Sequence, residues 1–322
     1  MFKKMMAKIG IGSAKVDLVL HKNEYELGEN IEGKFIVQGG NVEQFINKID
    51  VDFMLTVRTK KQEYNAVIAK IHVSDSFTIG ASERRELPFS YKLPKDFLIS
   101  SHYVNYYFVT NLDIASGVDH RDHDYVHINP PQRLNNLISA FEQLGFREKH
   151  DSRSFDGYSQ EFEFAPTSFL RGEVEEVEFI VALEEDRINM LLEVDMYTYG
   201  RREYEVKREV SLSNDILADG SRLVDFLQRV LSDIVENPQA YLFERDFSSY
   251  KHGGKHRHSG FAGALGGIAV GLLGGMIVGE IMDEVMGDMF EGALGDAGEG
   301  LESVFGGEEE GGMFDFFGGD DE

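Results

Sequence analysis

Residues 27–40, Leu27-Gly-Glu-Asn-Ile-Glu-Gly-Lys-Phe-Ile-Val-Gln-Gly-Gly40, constrain the fold of this chain more than any other stretch. Gly28 supplies a turn, after which Ile31, Gly33, Phe35 and Val37 alternate with polar positions. Period two is the pattern of a strand with one buried face. Gly33 within the strand predicts a bulge or a close backbone approach. The Gly39-Gly40 pair ends the run, where glycine takes positive φ without steric cost.

The same alternation recurs at even spacing through the first half. Val16, Leu18 and Leu20 follow it, as do Ile49, Val51, Phe53, Leu55 and Val57, and then Leu87, Phe89, Tyr91 and Leu93. Short strands separated by turn residues predict a β-sandwich that ends near Asp124–Ile128, with Pro130-Pro131 as a stiff junction. Leu134, Leu137, Ile138, Phe141 and Leu144 then keep helical spacing, and Gly145 is placed to cap that helix. A second strand series covers Val177–Leu183, Ile188–Met196 and Tyr204–Leu212, and a closing helix is predicted from about Ser221 to Asn237. The organisation is therefore 1–129, 132–250 and a tail, 251–322.

Several further motifs lie in register with the opening one. They are Ile11-Gly-Ser-Ala-Lys-Val-Asp17, Gly39–Asp50, Val73-Ser-Asp-Ser-Phe77, Glu86-Leu-Pro-Phe-Ser-Tyr91, Gly117–Tyr125, Gln143-Leu-Gly-Phe-Arg147 and Gln160-Glu-Phe-Glu-Phe164. In this order and spacing, over roughly residues 1–245, the chain resembles the SpoOM family of sporulation-control proteins, a group of bacterial arrestin-like proteins. The resemblance implies a mainly β fold of two arrestin-like β-sandwich domains, the second with added helices, followed here by a Gly-rich C-terminal tail. It also implies a regulatory role without an assigned reaction.

Composition narrows the function classes. The chain has no cysteine, which excludes disulfides and thiolate-bound metals and fits a reducing compartment. Lys8 and Lys15 interrupt any apolar run near the start, so no secretory signal is read there and a cytoplasmic body is expected. The net charge is −25; residues 280–322 hold fifteen acids and no Lys or Arg, leaving −10 on residues 1–279. Nucleic-acid binding needs basic patches, and this balance opposes it.

After Tyr250 the composition shifts abruptly. Lys251-His-Gly-Gly-Lys-His-Arg-His-Ser259 is a basic linker, and residues 260–279 carry no charge. Gly263, Gly267, Gly271, Gly275 and Gly279 recur every fourth residue, a small-residue repeat suited to close helix packing in a membrane or between copies. Eight glycines within 260–279 oppose a lone helix in water, since each costs about 0.8–1 kcal/mol relative to alanine. Acidic, glycine-rich residues follow, read as a solvated tail.

Three clusters invite site readings. Asp119, His120, Asp122, His123 and Asp124 could hold a divalent ion but match no zinc spacing, and are read as a solvated hinge between domains. His252, His256 and His258 sit among glycines and cations and are read as flexible linker. Phe2, Met5, Met6 and Ile9 lie at helical spacing between lysines and suit either lipid contact or packing on the first sandwich. No catalytic residue, cofactor-binding residue or metal ligand is assigned. The expectation is a non-enzymatic regulatory scaffold that binds protein partners in early sporulation or a related cell-cycle decision. The alternative is a tail-associated membrane or self-assembling protein working through 260–279.

Overall fold

The computed structural model describes residues 12–58, 63–115, 117–155, 159–197 and 203–241. The N-terminal Phe2, Met5, Met6 and Ile9, the histidine-bearing linker, the five repeat glycines and the acidic tail lie outside the described residues.

The N-terminal unit is two facing sheets. One holds β1 (Lys15–Leu20), β3 (Asn30–Gln38) and β7 (Arg84–Lys92) in the order β1-β3-β7. The other runs β2 (Glu24–Glu26), β9 (His120–Asn129), β8 (Val104–Ile114), β4 (Gln44–Arg58) and β5 (Glu63–Ser74), with β6 (Phe77–Ile79) also on β4. β2 pairs with β9 in parallel, and the other pairs in both sheets are antiparallel. Alternation sets the core: Ile49, Val51, Phe53, Leu55 and Val57 of β4 are buried, as are Ile31, Phe35 and Val37 of β3. Phe89 bridges the layers, its ring 5.3 Å from both Phe35 and Phe108 in edge-on contacts. Each such buried ring removes enough apolar surface from water to contribute about 1.5–3 kcal/mol.

Close approach explains the strand glycines. A Cβ on Gly33 would lie 2.5 Å from the Val19 carbonyl oxygen, where β3 meets β1. Gly39 and Gly40 were expected for positive φ, but neither takes it. Crowding is the reason: a Cβ would meet the Gly80 carbonyl oxygen at 2.1 Å and the Gly12 carbonyl oxygen at 2.0 Å.

The second unit is a sheet of β10 (Phe146–Glu148), β12 (Gln160–Pro166), β13 (Val174–Leu183), β14 (Arg187–Tyr197) and β15 (Glu203–Ser213), with β11 (Ser154–Phe155) paired to β12. The layer against it is helical. It comprises α1 (Gln132–Leu144), the short α2 (Asn214–Leu217) and α3 (Gly220–Glu236). Gly145 caps α1 at φ 93°, as its position predicts. Phe141 of α1 stacks on Phe164 and Phe179 at 5.2 and 5.1 Å, and Leu223, Leu227, Leu231 and Ile234 line the buried face of α3. Among the described residues no helix is long and apolar enough to cross a membrane.

Candidate functional site

Exposed sheet edges are where a β-protein accepts an extended partner segment. Here the edges differ in how they are guarded. β7 carries Pro88 and the cations Arg84, Arg85 and Lys92, with Glu86 paired to Lys34 at 2.8 Å. β15 alternates acids and bases, Glu205, Lys207, Arg208 and Glu209. β1 is sealed by side chains of β9: the Val16 N–H donates to His120 Nδ1 at 3.4 Å and the Leu18 N–H to Asp122 Oδ2 at 3.1 Å.

β5 is the least guarded. Its sequence, EYNAVIAKIHVS, holds one acid and one lysine in 12 residues, and among the described residues no strand pairs with its free side. On the outward face a cross-strand row runs from it through Val67, Met54, Tyr107 and Tyr125, on β5, β4, β8 and β9. Val67 is 38% and Tyr125 70% exposed. The Tyr107 ring lies 5.5 Å from that of Tyr125 and 6.1 Å from His123. A row of large, half-wet side chains beside an open edge combines backbone pairing with side-chain contact. Sequence reading named neither the edge nor the row; both depend on strand order, which one sequence does not reveal.

Four of the five residues of the acidic cluster, His120, Asp122, His123 and Asp124, lie in strand β9, with Asp119 just before it, so the cluster is not a hinge, which corrects the expectation above. Residues two apart in a strand share a face, so His120, Asp122 and Asp124 point inward toward β1. There Asp122 and Asp124 meet Asp17, and donor oxygens of all three lie within 4.8 Å of one another. Asp119 instead accepts the Ile114 N–H at 3.0 Å, and His123 faces outward beside Tyr107. Burial, reinforced by the charges of Asp122 and Asp17, pushes Asp124 up to about 7. Burial and then Asp122 raise Asp17, and burial lowers His120. The i, i+2, i+4 spacing of 120, 122 and 124 is the signal that could have placed these groups on one face; Asp17 could not have been added without the fold.

A second group, Glu163, Glu176 and Glu178, sits on the second sheet. It already holds a cation: Lys149 Nζ lies 2.9 Å from Glu163 and also pairs with Glu176. Register extends the row, Glu163 to Glu178 to Glu193 to Lys207 across β12–β15, with Lys207 Nζ 2.9 Å from Glu193. This ladder already holds two lysines of the chain's own, Lys149 and Lys207, and is structural.

Sheets make up most of the described residues and helices are few, which defines the class as a mainly β protein. Comparison with known proteins supplies the family. The SpoOM protein family model matches residues 2–198. The chain is 35% identical over 255 residues to the sporulation-control protein Spo0M of Bacillus subtilis (strain 168), covering 73% of this chain and 99% of that one. The crystal structure of the same B. subtilis protein aligns with a TM-score of 0.55 at 33% identity, over 70% of this chain and 99% of that one. The chain belongs to the SpoOM protein family.

Proposed function

We infer that this chain is a non-enzymatic, cytoplasmic regulatory adaptor that acts in sporulation control by docking protein partners. The observation that carries the reading is the open β5 edge flanked by the Val67–Met54–Tyr107–Tyr125 row. Main-chain groups along β5 are available to pair with an extended partner segment, and the row offers it apolar and aromatic contacts. The relative's name, a sporulation-control protein, supports the biological setting.

Photo-cross-linking tests the reading. A photoreactive residue at Val67 or Tyr125, in cells entering sporulation, is expected to trap a discrete protein adduct. The same probe at Glu209, on the charged β15 edge, is the control and is expected to trap none. Equal labelling from all three positions, or none from any, counts against docking at β5.

A further inference from the structure

We propose that Asp17, Asp122, Asp124 and Thr110 form a binding site for a hard divalent cation, Ca2+ or Mg2+, which ties the two sheets of the N-terminal unit together.

Three carboxylates alone do not make a site, but a buried hydroxyl stands directly across the ladder from one of them. Thr110 of β8 is fully buried and is the register partner of Asp122, so both side chains stand on the same inward face. Directly opposed residues in an antiparallel pair hold their Cβ atoms about 4.5–5.5 Å apart. Yet the Thr110 hydroxyl oxygen is buried with no hydrogen-bond partner. A buried hydroxyl without a partner costs about 1–3 kcal/mol. The Asp124 Oδ2 atom is likewise buried and partnerless. Two unsatisfied oxygens beside two further carboxylates make an oxygen-lined locus whose lone pairs lack a positive partner.

Charge and spacing fit one ion. Oxygens on opposite sides of a bound Ca2+ lie about 4.6–5.2 Å apart, from bonds of about 2.3–2.6 Å. The Asp17, Asp122 and Asp124 oxygens fall within 4.8 Å of one another. Among the described residues no Lys or Arg forms an ion pair with any of the three, unlike the glutamates around Lys149. Asp122 accepts the Leu18 N–H on one oxygen, which fixes its carboxylate beside β1.

The donor set also selects the ion. Carboxylate and hydroxyl oxygens suit Ca2+ and Mg2+, whereas Zn2+ favours nitrogen and sulfur. The nearest imidazole, His120, uses Nδ1 to accept the Val16 N–H and so is committed to the β1 edge. A cation here would join β1 of one sheet to β8 and β9 of the other, beside the bonds that already seal β1.

The test uses the full chain, stripped with a chelator and titrated with CaCl2 or MgCl2 by calorimetry and thermal melting. Wild type is expected to take up a saturable ion and to melt higher as it does. Asp124→Asn is expected to raise the melting point of the metal-free protein, by relieving repulsion, and to abolish the metal-dependent rise. Thr110→Val is expected to weaken binding by about tenfold, and Asp17→Asn gives the same comparison if Asp124→Asn fails to fold. A melting point indifferent to both ions overturns the proposal. So does a rise that persists undiminished in the variants, which would put the ion elsewhere on the chain.

Discussion

The Gln160 side-chain amide closes two hydrogen bonds on the backbone of Ile99, accepting the Ile99 N–H at 2.8 Å and donating to its carbonyl oxygen at 2.9 Å. A side chain of β12 thus pairs with the chain that follows β7 much as a neighbouring strand would. Its amide also donates to the Arg153 carbonyl at 3.0 Å, and the residue is fully buried. Ser101 strengthens the same seam by donating to the Arg153 carbonyl at 3.0 Å.

Removing that amide leaves the Ile99 N–H and carbonyl without partners and leaves the Arg153 carbonyl with Ser101 alone. Gln160→Leu is expected to lower the unfolding free energy by about 2–4 kcal/mol, from buried polar groups worth about 1–3 kcal/mol each. Urea unfolding followed by far-ultraviolet and tyrosine signals checks this. The seam model also expects the two signals to separate in the variant, as the units lose their coupling.

Lys149 is the cation on which the second sheet depends at its β10 end. Lys149→Met leaves Glu163 and Glu176 facing each other in a buried row, and stripping one partner from buried ion pairs costs about 3–5 kcal/mol. The same change with Glu163→Gln and Glu176→Gln is expected to recover most of that loss. Denaturant midpoints of the single and triple variants decide it.

Glu193 gives the sheet a pH dependence. Two lysines, Lys149 and Lys207, face the carboxylates of Glu163, Glu176, Glu178, Glu193 and Glu205, so the row cannot be neutral with every acid ionised. Burial, with Glu205 alongside, pushes Glu193 up to about 10 from an ordinary 4.5. The folded state therefore holds an extra proton between those values, and stability falls as pH rises through that window, by about 1.4 kcal/mol per pH unit for one full proton. Glu193→Gln is expected to flatten the decline. Thermal melts of both proteins between neutral and mildly alkaline pH would show parallel curves if Glu193 were ordinary.

What could be read in advance follows from periodicity. Strands such as Ile49–Val57 and the helices around Phe141 and Leu227 are visible because one buried face repeats every two residues or every three to four. The glycine pair at 39–40 is visible as a stop, yet its cause is packing against Gly80 and Gly12, which are near only after folding. The same limit hides the sites. Asp17 and Asp124 are separated by over a hundred residues and meet through sheet closure, and the row from Val67 to Tyr125 needs the order β5-β4-β8-β9. Polar residues on alternate positions of β9 looked like a loop because strands are expected to bury apolar groups, and this one closes the end of the sandwich with acids.

The central claim, that the chain works by presenting the β5 edge and its aromatic row to a protein partner, is tested most directly by spore counts in a strain whose native copy is replaced by Val67→Lys with Tyr125→Ser. Both side chains are exposed, so the purified variant is expected to melt within a few degrees of wild type. The account predicts that this folded protein, at wild-type abundance, gives the spore yield of a strain lacking the gene. Wild-type spore yield from the double variant would contradict it.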